Sequence, residues 1–458
     1  MSGAALVWFR QDLRLADNPA LDAAAKRNQP VITVYIWSPD EEAGWAPGAA
    51  SRWWLHQSLA SLDVDLRKRG SRLLLMQGDA ASVLRKLAKD TGASAVYWNR
   101  RYEPAAIAQA HRVEEALNRS EIEAKSFNSS LLVEPWDLLN KSGKPYQVYT
   151  PFKRRVQHEV KPAPTLRAPA RLPVPVRWPK GVALDSLGLM PKIEWYRPMA
   201  KLWRPGETDA QARLKSFLKH RLDEYTSARD QPAVHGTSLL SPHLHFGEIG
   251  PRQIWHALGA KGRSSPFLAE LIWREFAYHL LFHFPHTPLK PLRPEFAAFP
   301  WKKNAQGVRA WRKGLTGQPL VDAGMRELWA TGYMHNRVRM IVASFLVKNL
   351  LIPWQEGARF FWDTLVDADL ANNTLNWQWV SGCGADAAPY FRIFNPESQT
   401  RRFDPERAYI RKWVPESQGT QPTSAYPKLI VDLGQSREAA LDAYREMRAK
   451  RFNSKQVC

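Results

Sequence analysis

Apolar and polar positions follow two different regimes along this 458-residue chain. Between residues 4 and 127, five short apolar runs, AALVWFR, VITVYIW, RLLLMQG, AVYWNR and EIEAKSF, are separated by longer amphipathic segments. Runs of that length and composition predict buried parallel strands. Strands alternating with helices predict a doubly wound α/β domain with right-handed crossovers. The punctuation agrees: Asp17-Asn18-Pro19 offers a cap and a first-turn proline, and Gly70 is placed to end the helix through RWWLHQSLASLDVDLRKR. Nine prolines then fall between Val160 and Pro205, too many for a long helix, so an extended surface linker is expected there. After Gly206 the period is helical throughout, as in ARLKSFLKHRLDEY, SSPFLAELIWREFAYHLLFHF and AALDAYREMRAKRF. The expected organisation is an α/β domain over 1–130, a proline-rich linker over 131–205 and an all-α domain over 206–458. No internal repeat is evident.

Charge adds a partner to this picture. The formal net charge is +21, which points first to nucleic acid and second to an anionic membrane surface. No run of about 18 apolar residues is present, so nothing is expected to span a bilayer. The start, MSGAALVWFR, enters a strand pattern at once, without a basic flank or a small-residue cleavage site, and a cytoplasmic protein is expected. Two cysteines, Cys383 and Cys458, are too few for a disulfide framework or a four-cysteine cluster. There is no G-x-G-x-x-G, so a dinucleotide is not held in the Rossmann manner. His243 with His245, and His279 with His283, raise a metal reading. No third ligand of matching context accompanies them and HExxH is absent, so core or surface histidines are expected instead.

The densest chemistry lies in residues 354–396, WQEGARFFWDTLVDADLANNTLNWQWVSGCGADAAPYFRIFNP. Asp367 and Asp369 are followed closely by Asn372, Asn373, Trp377 and Trp379. Packing alone accounts for the indoles but not for the small polar run VSGCGADAAP after them. Short side chains there allow backbone to approach a planar ligand, and the acids and amides can hydrogen-bond it. DADLANNTLNWQW with DAAPYFRIFNP resembles the flavin-contacting signature of the DNA photolyase and cryptochrome family, and similar segments extend from Val7 to about Pro415.

The resemblance implies roles for residues that periodicity alone would assign to helix surfaces or core. TSLLSPHLHFGEIGPRQIW resembles the family's segment for the flavin phosphates and ribityl chain, with Thr237, Ser238, Leu239, Leu240 and Ser241 as contacts and Tyr225 upstream. By itself it is equally an ordinary capped helix, with Ser241-Pro242 at its start. In LAELIWREF, Glu270 and Arg274 stand four apart as an ordinary helical ion pair would. The resemblance makes Glu270 an acceptor for the damaged base pair, Trp273 a face for it to pack on, and Arg274 a flavin-side group. In YMHNRVRM, Asn336, Arg337 and Met340 match lesion and backbone contacts, and Arg339 matches the partner of Asp367 beside the flavin ring. Asp369 and Asn373 complete the flavin set; Arg229, Trp379, Arg392 and Gln399 complete the DNA set. Trp301, Trp354 and Trp377 match the family's electron relay, for which an oxidisable indole is suited.

The activity expected on this basis is light-dependent DNA repair. The resemblance implies a carbon–carbon lyase that uses reduced FAD, excited by blue light, to split cyclobutane pyrimidine dimers in UV-damaged DNA, acting as a monomer without a metal. SRWWLHQSL and TSLLSPHLHFGE are most similar to the class III branch, nearest the plant cryptochromes. A 5,10-methenyltetrahydrofolate antenna is expected on the α/β domain, though Tyr102-Glu103 is followed by Pro104-Ala105-Ala106, where the familiar folate ligands would stand; an absent antenna stays open. Two rival functions stand beside repair: a cryptochrome-type photoreceptor without repair activity, and a flavin-free nucleic-acid-binding protein. Against the first, Asn373 stands where plant cryptochromes carry an acid.

Overall fold

The computed structural model describes residues 3–387, 391–417 and 426–455. Its five strands are β1 Ala5–Phe9, β2 Val31–Trp37, β3 Leu73–Gln77, β4 Ala95–Asn99 and β5 Glu123–Phe127. They form one parallel sheet in the order β3-β2-β1-β4-β5, so all five expected runs are strands and the order reverses between β1 and β4. β1, β2 and β4 are buried along their whole length, whereas β5 alternates exposed and half-buried positions. The expectation of a buried run fails there because β5 is an edge strand, and its sequence EAKSF carries the charge that edges need.

The crossover helices start and stop as their local chemistry dictates. Helix α1, Pro19–Ala25, is capped by Asn18, whose side chain accepts from Leu21 N at 3.1 Å. Helix α2 runs Ala49–Arg67, and Gly70 beyond it has φ +76°, a left-handed conformation that costs glycine little. Helices α3, Ala80–Thr91, and α4, Pro104–Asn118, complete the set. Ile32, Val34, Leu74, Leu84, Val96 and Val113 fill one core.

The proline-rich stretch is extended, as expected, but it is not a loose tether. Asp17 N donates to Leu166 O at 2.8 Å, Val31 N to Pro173 O at 2.8 Å, and Val182 N to Leu75 O at 2.9 Å, while Leu172 is buried. A proline without an N–H group still offers its carbonyl, and Pro173 O satisfies the backbone donor at the start of β2, while Leu166 O satisfies Asp17 just before α1. By internal contacts the chain divides into a first unit, Met1–Pro145, Lys153–Leu222 and Ser238–Phe282, and a second, Tyr146–Phe152, Asp223–Thr237 and His283–Cys458. The first therefore includes the proline-rich stretch and four helices after it, Glu207–His220, Ser241–His245, Pro251–Gly262 and nearly all of Pro266–His283.

The second unit is helical among its described residues. Helices Pro319–Thr331, Asn336–Ser344, Trp354–Thr364, Leu370–Ser381 and Leu433–Lys455 surround a core that includes Trp311, Met325, Val338, Phe345, Trp354 and Trp377. The Asn336–Ser344 helix continues into a π-helical turn, Phe345–Asn349. That turn buries Lys348, whose ammonium donates to Ser381 O at 3.0 Å and lies 2.9 Å from the centre of the Phe391 ring. Burial lowers the Lys348 pKa well below that of an ordinary lysine. No described helix is long and apolar enough to cross a membrane.

Candidate functional site

In the second unit, two helix starts bring charged groups together. His335 caps the Asn336–Ser344 helix, its Nδ1 accepting from Arg337 N at 3.2 Å. Asp369 caps the Leu370–Ser381 helix, accepting from both Asn372 N and Asn372 Nδ2 at 2.8 Å. Between these two caps Arg339 reaches Asp367: Nη2 donates to Oδ2 at 2.9 Å, and Nε donates to Met334 O at 2.7 Å. Arg339 also lies over the Tyr333 ring, 5.0 Å from its centre. Burial pushes the Tyr333 phenol up to about 12, and a hydrogen bond with Thr237 places that expected residue in the same cluster. A guanidinium held in place by one carboxylate, with further N–H donors in a planar fork, suits a planar heterocycle with carbonyl oxygens and changing charge.

Asn373 and Trp377, four apart on one helix, both face the Trp354–Thr364 helix. Asn373 Nδ2 donates to Ala358 O at 3.0 Å, leaving its carbonyl as the group available to a ligand. The Trp377 ring lies so near Gly357 that a Cβ there would sit 2.0 Å from it. Trp354 is the first residue of the facing helix and is buried, as is Trp377; Trp301 is half-buried, with its ring 4.4 Å from Phe299. Of the three expected relay indoles, Trp354 and Trp377 thus belong to one core cluster and Trp301 packs against it. Sequence reading missed Trp311, whose ring is 6.3 Å from that of Trp377 and whose Nε1 donates to Val342 O.

The expected DNA contacts of this unit are accessible or half-buried. Asn336 is exposed, and Arg337 and Met340 touch through Nη1 and Sδ at 4.0 Å. Arg229 stacks over Tyr225 at 5.2 Å, and Gln399 lies on the helix Pro396–Phe403. Arg392 lies over Trp379 at 5.7 Å, and both border a shallow cavity of about 270 Å³ with Gly382, Asp386 and Phe394. Ala388, Pro389 and Tyr390 of the signature lie outside the described residues.

The remaining expected residues belong to the first unit. Ser241 begins a helix of only five residues, Ser241–His245, whose N-cap is Leu240 without a side-chain bond. The capped-helix expectation is corrected by what precedes it: Leu239 takes φ +54°, and Ser238 Oγ accepts from Leu240 N at 3.4 Å, so a tight turn leads in. Glu270 and Trp273 are half-buried on the Pro266–His283 helix. Arg274 donates to Ser130 O at 2.6 Å and lies over Tyr278 at 4.7 Å. Next to it Glu275, missed by the sequence reading, accepts from Leu132 N at 2.9 Å; burial raises this carboxyl to about 8. His243 is a core histidine, its Nδ1 paired with Glu248 and its Nε2 3.5 Å from Asp209. Burial lowers its pKa, but the two carboxylates outweigh that and the net shift is upward.

The first unit also holds an open pocket at the carboxyl ends of β1 and β2, lined by Arg10, Tyr35, Trp37, Arg101 and His245 among others. Open α/β sheets take ligands at such ends. Arg10 is buried there with Nε and Nη1 unpartnered, while Nη2 donates to Gln109 Oε1 at 2.6 Å. Burial, then the nearby Arg101, lower Arg10 to about 10, so it stays charged. Arg101 bridges Glu42 at 2.6 and 3.1 Å, and Tyr102 donates to Glu134 at 2.8 Å.

Two family models match this chain: "DNA photolyase" over residues 5–173 and "FAD binding domain of DNA photolyase" over residues 267–446. A deoxyribodipyrimidine photo-lyase of Agrobacterium fabrum is 46% identical over 467 aligned residues, covering 96% of this chain and 97% of that protein. The chain belongs to the DNA photolyase family. Among solved structures, a bacterial class III photolyase from Agrobacterium tumefaciens superposes with a TM-score of 0.93 at 45% identity, covering 98% of both chains. Cryptochrome-1 of Arabidopsis thaliana is more distant, 39% identical over 90% of this chain and 63% of its own length. Family membership fits the clustering of the expected flavin residues: the Arg339–Asp367 pair, Thr237 and Asn373 all lie in the helical unit that contains most of the FAD-binding match.

Proposed function

We propose that this chain is a deoxyribodipyrimidine photolyase that repairs cyclobutane pyrimidine dimers in UV-damaged DNA under blue light. The observation that carries this reading is its likeness, over nearly its whole length, to a protein of that name, with the Arg339–Asp367 pair formed in the matching helical unit. The cofactor is FAD, which when bound and reduced supplies the electron that light transfers to the dimer. Tyr225, Thr237, Arg339, Asp367, Asp369 and Asn373 are the second-unit residues that would hold it. Arg339 orients it by charge, Asp367 fixes Arg339, and the Asn373 carbonyl remains free of the Ala358 bond. Trp354 and Trp377 supply oxidisable rings within one core cluster, and Trp301 supplies a third packed against it. On the substrate side, Arg229, Arg337 and Arg392 neutralise phosphates, while Trp379 and Asn336 meet the extruded lesion. Glu270 and Trp273 of the first unit are assigned to its bases by the same resemblance.

A methenyl folate antenna is the finer reading. The pocket beside Arg10 supports it by the chemistry of its lining, since aromatic walls and two unused guanidinium donors suit a planar, acidic heterocycle. The protein acts as a cytoplasmic monomer in this reading. The test is to illuminate reduced protein with an oligonucleotide that carries one cyclobutane dimer. Restored thymines are expected. A yellow protein that binds FAD but restores none would point instead to the photoreceptor, and a colourless one to DNA binding alone.

A further inference from the structure

Arg337 does not present a bare charge. Its Nη2 donates to Asp230 Oδ1 at 2.7 Å, and its Cζ lies 4.4 Å from the centre of the Phe403 ring. Arg402 lies over the same ring at 5.0 Å, and Arg229 adjoins Asp230 in sequence. One carboxylate is therefore paired with Arg337, a residue assigned to DNA, and arginines flank the pair: Arg402 on the shared Phe403 ring and Arg229 next to Asp230 in the chain. The Arg337 and Asp230 side chains are 21% and 37% exposed, so the pair is neither buried nor freely solvated. A carboxylate is an unexpected neighbour for a group that is to receive a phosphate.

The two holds on Arg337 do different things. Phe403 fixes the plane of the guanidinium by stacking, which survives loss of the carboxylate. Asp230 cancels the charge. A phosphate within reach of Arg337 Nη2 comes within a few ångströms of Asp230 Oδ1, where like charges repel. We propose that Asp230 attenuates the grip on DNA, occupying Arg337 in the free protein and yielding it to a backbone phosphate on binding. Asp230 is thus a positioning and tuning residue that acts through Arg337. The proposal rests on the DNA-binding reading of Arg337.

The experiment titrates the full FAD-loaded protein, in the dark, against a fluorescein-labelled duplex that carries one cyclobutane thymine dimer, at several salt concentrations. Asp230→Asn should bind about threefold more tightly at moderate salt, the scale of a half-exposed ion pair. Its plot of log affinity against log salt should steepen by about 0.9, the value for one further neutralised phosphate. Asp230→Glu keeps the charge and should keep the wild-type slope. Arg337→Gln should flatten the slope. If Arg337→Gln leaves the slope unchanged, the reading of Arg337 as a DNA contact fails, and the proposal with it. If Arg337→Gln flattens the slope while Asp230→Asn does not steepen it, the DNA contact stands and the attenuator is overturned. Weaker binding by Asp230→Asn, with a lowered melting temperature, would likewise overturn it by showing a merely structural role.

Discussion

At Asn373 the two ends of one amide are distinguished by the structure. Its amide N–H is committed to Ala358 O, a bond between helices rather than one to a ligand. Asn373→Asp removes that donor and points an acid at a carbonyl, which should cost about 1–3 kcal/mol. Denaturant unfolding should therefore rank Asn373→Asp below Asn373→Ala; equal stability of the aspartate variant and wild type would refute the assignment. Glu275 gives a second test. Its folded pKa, about 8, lies above the usual carboxylate value because the group is buried. A raised acid stabilises the fold in its protonated form; that contribution is complete below about pH 4 and is lost as pH climbs to about 8. Glu275→Gln is neutral throughout and can still accept from Leu132. Between pH 5 and 8 the wild type should lose stability relative to this variant, at no more than about 1.4 kcal/mol per pH unit. Urea midpoints that run parallel over that range would rule the burial argument out. Arg339 with Asp367 was legible in the sequence because both stand in a recognisable motif. Asp230 with Arg337, and Glu275 with Leu132, are 107 and 143 residues apart, and no local pattern announces such a meeting.

At the scale of elements, strand positions and the α1 cap were legible because burial and capping leave a local record in residue type. The role of the proline-rich stretch was not, since its carbonyls bond backbone N–H groups whatever the side chains are. The same limit hid how closely the helices Trp354–Thr364 and Leu370–Ser381 approach. Gly357 lies against the Trp377 ring, and Asn373 bonds the adjoining residue. Gly357→Ala would put a methyl group 2.0 Å from ring carbon, and backbone or indole must shift. Overpacking of this kind costs about 1–3 kcal/mol. The variant should melt lower than wild type and show altered near-ultraviolet dichroism from the displaced indole. An unchanged spectrum and melting curve would mean that the two helices are not so closely packed.

At the scale of the molecule, the fold class and family were readable from patterns that run through most of the chain, and the net charge of +21 gave the kind of partner. Which lesion is repaired turns on a few residues within that frame. The (6-4) branch resembles this one but places two histidines, for proton transfer, on the helix that faces the lesion. Read by the same family resemblance against YMHNRVRM, those positions correspond to Asn336 and Met340, neither of which can act as an acid near neutral pH. His335 is the one imidazole beside them in sequence, and the structure removes it from contention. It is the helix cap rather than a helical position, its Nδ1 accepts from Arg337 N, and burial holds its pKa down to about 4. At neutral pH it is therefore uncharged and is a poor proton donor. Splitting a cyclobutane dimer moves an electron out and back without net proton transfer, so this helix suffices for it. Reduced protein under blue light should restore thymines from a cyclobutane dimer and none from a (6-4) photoproduct in the same oligonucleotide, as separated by chromatography. Asn336→His should not confer (6-4) repair, since Met340 leaves the second proton-transfer position empty. Measurable (6-4) repair by the wild-type protein would show that a proton donor outside this helix serves the lesion, and would overturn the assignment.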